Sequence, residues 1–396
     1  MLINYLLKML PLNYVSVKTE IDNEGILLVK MIDYNYNSFT NLNLERKYEL
    51  QEIGNFYDIV VYKTTRENYL KHVSFLSTNF EVFQDSKIQL DLPLYTSVVK
   101  PKDDWHLNRL VNRELNGTVK FNRPNCVDTE KHEILNYVVD TGIDIEHEEF
   151  QNRAVWGKNF VDEEDVDCHS HGTHVSGLIG SKSFGVCKNA VMIAVKVLDC
   201  KGSGSLSSII GGLNWVLQEH NNVKNNEKVR KSVINMSLGG SKNQIIDLIV
   251  SRMVTTSNLY IVVASGNSND DSCNGSPSGI KEVITVMASD YQDNRAYFSN
   301  YGECSNIYSP GVDITSTVPN QKYAKYSGTS MSTPITVGVL NHYLNKFPES
   351  TQMSDIKKKL YELSTKDLIK NNPKNTFNYL VFLPDFEKEN YFKIQI

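Results

Sequence analysis

The sequence predicts an α/β protein: a doubly wound, mostly parallel sheet with helices on both faces, preceded by a small α+β unit. From about Trp105 to Phe347, short apolar runs alternate with amphipathic runs of helical period. Two of these runs, Tyr260–Ala264 and Val283–Ala288, contain almost no polar residues, as strands buried on both faces require. Residues 20–92 instead follow the order strand, helix, strand, helix, strand.

The N-terminal unit is predicted to span residues 18–98 and to adopt a split βαβ arrangement. Its predicted strands and helices are Gly25–Ile32, Asn37–Leu50, Phe56–Tyr62, Glu67–Leu76, Phe80–Phe83 and Ile88–Leu90. The proline-containing segment Leu92–Lys102 is predicted to be a linker. Residues 1–17 form a weak candidate signal segment, because their apolar run is interrupted by Lys8 and Pro11.

The large domain is predicted to span residues 99–385 and to be followed by a tail, residues 386–396. Its other predicted strands are Leu135–Val139, Val191–Leu198 and Ser232–Ser237. Its predicted helices are His171–Gly180, Leu206–His220, Ile245–Thr256, Ser330–Phe347 and Ser354–Ser364. In such sheets the functional site lies beyond the carboxyl ends of the strands. Asp140, Ser237 and Asn267 each stand at or just after such an end.

Composition excludes some classes of partner. The net charge is -5, so no basic excess favours nucleic acid or an anionic membrane surface. We find no apolar run long enough to span a bilayer and expect no transmembrane helix.

The six cysteines lack the paired spacing of a zinc site and leave 15 full pairings open. Two glycosylation sequons, at Asn116 and Asn274, favour a secretory route.

Three residues that are far apart in the chain could together hydrolyse an amide. Ser330 lies two residues after Gly328 at the start of a predicted helix, with Pro334 expected in its first turn. His171 stands in His-Gly-Thr-His and Asp140 in Asp-Thr-Gly. A serine, an imidazole and a carboxylate supply a nucleophile, a base and an anion that orients the base.

Each of these residues also has a simpler interpretation. Ser330 could be a helix N-cap, and Asp140 could end a strand in a turn. His171 could be structural, or could bind a metal together with His169 and His174. The acidic run Asp162–Asp165 is predicted to be a solvated loop rather than a calcium site. We therefore expect no metal site and no cofactor.

Further residues are candidates for holding a substrate. The Asn267 amide could donate to the oxyanion of a tetrahedral intermediate, with the Ser330 backbone N–H as second donor. Two short segments could pair with an extended peptide as an added strand. They are Gly202-Ser203-Gly204 and Ser237-Leu238-Gly239. The alternatives are a turn asparagine and plain loops.

The motifs around these residues resemble those of the subtilases, in particular the proteinase K and cerevisin-like branch, over about residues 103–346. The matching pieces are VVDTGID, SHGTHVSG, VKVLDCKGSGSLSSIIGGLNW, NMSLGG, VVASGN, AYFSNYGEC and SGTSMSTP. The order Asp, His, Ser is also that of the subtilisins. The resemblance implies a subtilisin-like fold and a serine endopeptidase, with catalytic Asp140, His171 and Ser330 and with Asn267 in the oxyanion hole.

The same resemblance implies the role of the small unit. Residues 18–98 are similar to a ferredoxin-like inhibitory propeptide, which the enzyme itself removes. The mature start is then expected between Leu94 and Lys102, near Ser97. The resemblance also implies a disulfide between Cys273 and Cys304. We expect a monomer that acts on polypeptide substrates, in the secretory pathway, outside the cell, in a vacuole or in a spore wall.

Two departures from the family pattern leave an alternative open. After the Ser-Met pair, the family's Ala-Ser-Pro-His-Val is replaced by Ser332-Thr333-Pro334-Ile335-Thr336. Asn306 stands where a calcium site of proteinase K has an aspartate. The alternative is a catalytically silent subtilase-fold protein that acts by binding a partner.

Overall fold

The computed structural model describes residues 25–31, 39–90, 94–98, 104–122, 124, 126, 133–187, 189–223, 229–348 and 350–385. The predicted signal segment and the predicted tail lie outside the described residues, as do parts of the predicted linker. Among the described helices, none is both long enough and apolar enough to cross a lipid bilayer.

The small domain forms a four-stranded antiparallel sheet with three helices. In chain order its elements are β1 Ile26–Met31, α1 Phe39–Tyr48, β2 Gln51–Phe56, β3 Ile59–Thr64, α2 Arg66–Lys71, α3 Val73–Asn79 and β4 Glu81–Gln84. The strand order is β2-β3-β1-β4. This is the split βαβ arrangement that the sequence predicted.

Two details of the small domain differ from the prediction. The predicted strand Phe56–Tyr62 begins too early: Phe56 ends β2, a turn follows with Tyr57 at φ 64°, and only Ile59–Tyr62 belong to β3. The alternation of Tyr57, Ile59 and Val61 continues through this turn, so periodicity could not reveal it. The predicted helix Glu67–Leu76 is two helices that meet at His72.

The two faces of the small sheet bury different partners. Leu28, Val60 and Tyr62 pack with Leu76 and Phe80 in a local core. Residues of the opposite face join the main core of the large domain; they are Leu27, Val29, Phe56, Ile59 and Val61. Because strand residues alternate between faces, one sheet can serve both cores.

The segment between the domains carries two strands that pair with the large domain. β5, Lys87–Gln89, was predicted as part of the small unit's last strand, but it pairs antiparallel with β10, Ser203–Ser205. β6, Leu94–Val98, lies in the predicted linker and pairs antiparallel with β18, Lys322–Ser327. Both partners are distant in the chain, and local sequence pattern carries no information about them.

The large domain is built on a nine-stranded sheet, in the order β19-β20-β16-β15-β13-β11-β7-β9-β8. All neighbours are parallel except β19 and β20. The strands are β7 Glu133–Asp140, β8 Ala154–Asn159, β9 Val191–Lys196, β11 Val229–Met236, β13 Tyr260–Ala264, β15 Ile284–Ser289, β16 Ile307–Pro310, β19 Thr365–Lys366 and β20 Tyr379–Leu380. The predicted doubly wound, mostly parallel sheet is confirmed, although β8, β16, β19 and β20 were missed.

Among the described residues, six α-helices accompany this sheet, together with five short strands that belong to smaller sheets. The helices are α4 Trp105–Leu110, α5 His171–Gly180, α6 Leu206–Val223, α7 Gln244–Ser257, α8 Thr329–Lys346 and α9 Met353–Leu363. Besides β10 and β18, the small strands are β12 Gly240–Ser241, β14 Gly275–Ser276 and β17 Ile314–Val318. α5 and α8 pack against each other, whereas α6 and α7 contact β2 of the small domain.

Candidate active site

Asp140 and His171 form a buried pair at the carboxyl end of β7. The Nδ1 atom of His171 lies 2.7 Å from Oδ1 of Asp140, and both side chains are fully buried. The backbone N–H of Thr141 donates to the same carboxylate oxygen at 2.8 Å. The Nε2 atom of His171 has no hydrogen-bond partner among the residues that the structure describes. A neutral imidazole held in this way carries its proton on Nδ1 and presents a basic Nε2.

The loop before α5 is held by Asp167, which the sequence analysis missed. Its carboxylate accepts hydrogen bonds from Thr141 Oγ1 and from the backbone N–H and the hydroxyl of Thr173, at 2.8, 2.9 and 2.6 Å. Asp167 also accepts from the backbone N–H groups of His169 and Ser170. This carboxylate therefore ties the strand that carries Asp140 to the helix that begins with His171. In the sequence, Asp167 stands just after the acidic run Asp162–Asp165, and nothing in this position indicated its role.

Close packing explains the glycine that follows His171. A Cβ atom on Gly172 would stand 2.1 Å from the carbonyl oxygen of Gly142. Any side chain there would push α5 away from the end of β7. The glycine in the motif therefore permits the short distance between the imidazole and its carboxylate.

Ser330 lies in the first turn of α8 and is almost completely buried. Its hydroxyl donates to the carbonyl oxygen of Ser237 at 3.1 Å. Its backbone N–H has no acceptor within the helix, because the first N–H groups of a helix lack one. The positive end of the helix dipole therefore lies beside the hydroxyl.

Pro334 lies inside α8, and its missing N–H leaves the carbonyl of Ser330 without its helical donor. The expectation that this proline would sit harmlessly in the first turn was wrong. The hydroxyl of Ser237 replaces the lost donor and bonds to the Ser330 carbonyl at 2.9 Å. Ser237 therefore contacts both the backbone and the hydroxyl of Ser330.

Asn267 follows β13 and contacts the start of α8. Its Oδ1 atom accepts hydrogen bonds from the backbone N–H of Thr329 at 2.8 Å and from the Thr329 hydroxyl at 2.9 Å. These bonds place its Nδ2 atom near Gly328, 3.6 Å from where a Cβ atom on that glycine would stand. Asn267, Thr329 and Ser330 line one cavity.

The two predicted substrate segments lie along β5. Gln89 pairs with Ser203 and Ile88 with Gly204, and the N–H of Leu90 donates to Gly202 O at 2.8 Å. On the other side, Ser237, Leu238 and Gly239 line the cavity of Ser330 together with Gln89. Leu238, Gly239, Ile88 and Gln89 also line a neighbouring cavity with apolar walls from Ile209 and Met236. We call the space between the two segments the cleft.

Two disulfides lie close to this cleft. Cys273–Cys304, which the resemblance implied, is present and confirms that expectation. Cys168–Cys200 was not predicted, and it joins the loop before α5 to the loop before β10. Beside it, burial and the neighbouring His171 lower the pKa of His169 below its ordinary value.

The metal interpretation of the histidines finds no support among the described residues. No group of three or more His, Cys, Asp or Glu side chains in that part of the chain could hold a metal ion. His174 Nε2 lies 3.1 Å from the carbonyl oxygens of Ile314 and Ala324, and burial lowers the pKa of His174 to about 3. Asn306 Oδ1 accepts from the Thr285 N–H, and Asp162 accepts from Asn159 within its own loop.

Comparison with known proteins identifies the family. Residues 137–380 match the family model described as the subtilase family. The chain is 39% identical to cerevisin from Saccharomyces cerevisiae over 294 residues, which cover 70% of this chain and 46% of that protein. It is 40% identical to the subtilisin-like serine protease Rho m 2.0101 from Rhodotorula mucilaginosa over 291 residues, covering 70% of this chain and 85% of that protein. The chain thus spans about half the length of cerevisin.

A solved structure supports the same assignment. The crystal structure of a cold adapted subtilisin-like serine proteinase superimposes with a TM-score of 0.64 at 35% sequence identity. The match covers 71% of this chain and 98% of that protein. Since the family model matches more than half of its residues, this chain belongs to the subtilase family.

Proposed function

We propose that this protein is a serine endopeptidase that cuts peptide bonds with Ser330, His171 and Asp140. The observation that carries the proposal is the buried His171–Asp140 pair, with Nδ1 bound at 2.7 Å and Nε2 unoccupied by any described residue. His171 differs from the equally buried His174 in its partner, because His171 contacts a carboxylate whereas His174 contacts the backbone carbonyls of Ile314 and Ala324. A general base needs one nitrogen held and the other available.

The proposed reaction begins when the Ser330 hydroxyl turns from Ser237 O to His171 Nε2. The hydroxyl attacks the substrate carbonyl while the imidazole takes its proton and then returns it to the leaving amine. Asp140 stabilises the imidazolium that forms between these two steps. Catalytic hydrogen bonds often tighten only when substrate binds, so the present bond to Ser237 is compatible with this path.

The negative charge that develops on the substrate oxygen requires hydrogen-bond donors. The Asn267 amide and the backbone N–H of Ser330 are the proposed pair. The contacts of Asn267 Oδ1 with Thr329 support this assignment, because they fix the side-chain amide beside the first turn of α8. Donors fixed before the reaction begins stabilise the transition state without further reorganisation.

The changed segment behind the nucleophile does not favour the silent alternative. Ser332 Oγ donates to the carbonyls of Ser309 and Pro310 at 3.0 and 3.2 Å. Thr336 Oγ1 donates to Ser332 O at 3.0 Å. The substituted polar groups are therefore satisfied within the core and place no unpaired group behind Ser330.

The small domain is proposed to act as an inhibitory propeptide. Its strand β5 occupies the cleft between the two substrate segments, where a peptide substrate would bind as an added strand. Asp85 accepts from the backbone N–H and hydroxyl of Ser207 at 2.8 and 2.7 Å, and Arg252 bonds to Asp58 at 2.7 Å. These contacts fix the domain on α6 and α7 while β5 blocks the cleft.

The setting of the protein is also a proposal. Two disulfides are typical of an oxidising compartment, so we place the protein in the secretory pathway or outside the cell. A vacuole and a spore wall are the finer alternatives. All the proposed catalytic groups come from one chain, which favours a monomer. No step uses a cofactor, and the expectation that the protein has no metal site stays a prediction.

Labelling with a fluorophosphonate probe tests the proposed function. The wild-type protein is expected to label at Ser330 and to cleave a denatured protein substrate, whereas Ser330→Ala does neither. Ser332→Ala is the matched control, because its hydroxyl lies in the same helix but bonds only within the core. It should label like the wild type. Folded wild-type protein that neither labels nor cleaves would establish the silent alternative.

A further inference from the structure

The side chain of Leu90 fills a small space beside the two loops that the Cys168–Cys200 disulfide joins. Leu90 is 4% exposed. A Cβ atom on Gly202 would stand 3.2 Å from Leu90 Cδ1 and 3.1 Å from Nε2 of His169. Gly202 is at φ 72°, a conformation that favours glycine, so this wall of the space carries no side chain. Leu90 and the His169 ring therefore border the same space, which we call the Leu90 subsite.

The backbone around Leu90 lies as an extended substrate would lie. The N–H of Leu90 donates to Gly202 O at 2.8 Å. Gln89, one residue earlier, lines the cavity that contains Ser330. A peptide that binds to this segment as an added strand places one of its own side chains in the Leu90 subsite. The walls of the subsite therefore contact one residue of the substrate, near Ser330.

The imidazole of His169 is placed to change the charge of this subsite. The side chain is half-buried, and its Nδ1 atom has no hydrogen-bond partner among the residues that the structure describes. Because an unpaired buried N–H is costly, the neutral ring keeps its single proton on Nε2, the nitrogen that borders the subsite. Protonation of the ring adds a positive charge there and leaves Nε2 a donor.

Charged and titratable groups face His169 from several elements. The ring of His171 on α5 lies 6.2 Å away between ring centroids, and Lys196 Nζ lies 4.0 Å from Sγ of Cys168. The neighbouring carboxylates are at the end of β7, in the same loop and in the loop before β10; they belong to Asp140, Asp167 and Asp199. Burial and His171 lower the pKa of His169 in spite of these carboxylates, so the ring is neutral at neutral pH.

We propose that His169 determines which side chain the enzyme accepts in the Leu90 subsite: an apolar one at neutral pH, and increasingly an acidic one as the pH falls. The inference rests on the proposed function, since it concerns the substrate of the same Ser330. Beside the neutral ring, a leucine side chain is buried as Leu90 is, whereas a carboxylate would meet an uncharged imidazole and three other carboxylates. Beside the protonated ring, the carboxylate gains an ion pair and a charge-assisted hydrogen bond from Nε2.

Titration of His169 in the full-length Ser330→Ala chain tests this contact without any catalysis. Leu90→Asp places a carboxylate in the subsite, and Leu90→Asn is the matched control of similar shape without the charge. The titration midpoint of His169, followed by NMR, should be about 0.5–1 pH unit higher in Leu90→Asp than in Leu90→Asn, which is a coupling of about 3- to 10-fold. The resonance of His169 is the one that His169→Gln removes. Equal midpoints in the two chains overturn the proposal.

Competition between two peptide substrates tests the same inference in the active protein. The peptides differ only in leucine or aspartate at the residue that enters the Leu90 subsite, so protonation of the base His171 slows the cleavage of both equally. The ratio of kcat/KM for the leucine peptide to that for the aspartate peptide should fall about 3- to 10-fold from about pH 8 to about pH 5. His169→Gln should make this ratio independent of pH, and His169→Arg should favour the aspartate peptide at both pH values.

The outcomes separate this inference from the proposed function. A wild-type ratio that changes by less than about 1.5-fold overturns the inference, as does the same change of ratio in His169→Gln, which a purely structural histidine would produce. Wild type that neither labels with fluorophosphonate nor cleaves either peptide refutes the proposed function instead, while the titration of the Ser330→Ala chains still decides whether His169 senses the side chain in the subsite.

Discussion

Asp85 offers a quantitative test of how the small domain is held. Its side chain is 4% exposed and accepts two hydrogen bonds from Ser207, at 2.8 Å from the backbone N–H and 2.7 Å from the hydroxyl. Lys63 lies 2.8 Å away but is 37% exposed. The backbone contact places a carboxylate of one domain at the N-terminus of α6 in the other domain. We predict that Asp85→Ala destabilises the attachment of the small domain.

The size of the effect follows from these contacts. Loss of a helix cap costs about 1 kcal/mol, and loss of a hydrogen bond to a charged group about 1.5–3 kcal/mol. The partly exposed ion pair with Lys63 adds less than about 1 kcal/mol. The sum for Asp85→Ala is about 2.5–5 kcal/mol. Lys63→Met removes this ion pair and the hydrogen bond from Lys63 Nζ to Ser207 Oγ at 2.9 Å, but it keeps both bonds between Asp85 and Ser207. It should therefore cost only about 1–2 kcal/mol.

The assay uses the Ser330→Ala chain, in which the two domains stay covalently joined. The small domain should unfold at a lower urea concentration in Asp85→Ala. The midpoint should shift much less in Lys63→Met. In the processed enzyme, the same loss corresponds to about 70- to 5000-fold weaker inhibition by the released segment. If the free energy of unfolding of the small domain in Asp85→Ala lies within about 0.5 kcal/mol of that of its parent, the carboxylate does not hold the domains together and our reasoning is wrong.

Three further predictions concern the site and the core. Asn267→Ala should lower kcat for a peptide substrate by about 10²–10³-fold with little change in KM, and unchanged kcat would remove it from the oxyanion hole. Replacing Cys168 and Cys200 by serine should cost roughly 3–4 kcal/mol in urea unfolding, since the bridge spans 32 residues; a loss below 1 kcal/mol would contradict this. Burial lowers the pKa of His342 to about 4, against about 6.5 when unfolded. As the pH falls, His342 is therefore protonated in the unfolded chain before it is protonated in the folded chain. The free energy of unfolding should then decrease between about pH 6.5 and about pH 4. The expected slope is about 1 kcal/mol per pH unit, and His342→Gln should flatten it.

The local elements were largely predictable, because they depend on short-range pattern. The helix His171–Gly180 and the strand Tyr260–Ala264 have the bounds that the sequence predicted. Both are dense in apolar or small residues with few interruptions. β8 was missed because Trp156, Gly157 and Lys158 break the apolar run, and a register shift occurs there in its pairing with β9.

Contacts between distant residues were not predictable in the same way. Asp167 is one carboxylate near an acidic run, and only the folded loop directs it to Thr141 and Thr173. Ser237 was singled out as a substrate residue, but its bond to the Ser330 carbonyl depends on the proline in α8. The bridge between Cys168 and Cys200 was one of many pairings that spacing alone could not separate.

From its amino-acid order alone, this protein is a doubly wound α/β chain with a split βαβ unit before it, and its motifs are those of the subtilases. Periodicity and motif spacing carry that information because each is written in a few neighbouring residues. Only the tertiary structure decided that β5 pairs with β10 and that β6 pairs with β18. Every residue except proline offers the same backbone N–H and C=O groups, so the local side-chain pattern of a short segment does not identify its distant strand partner.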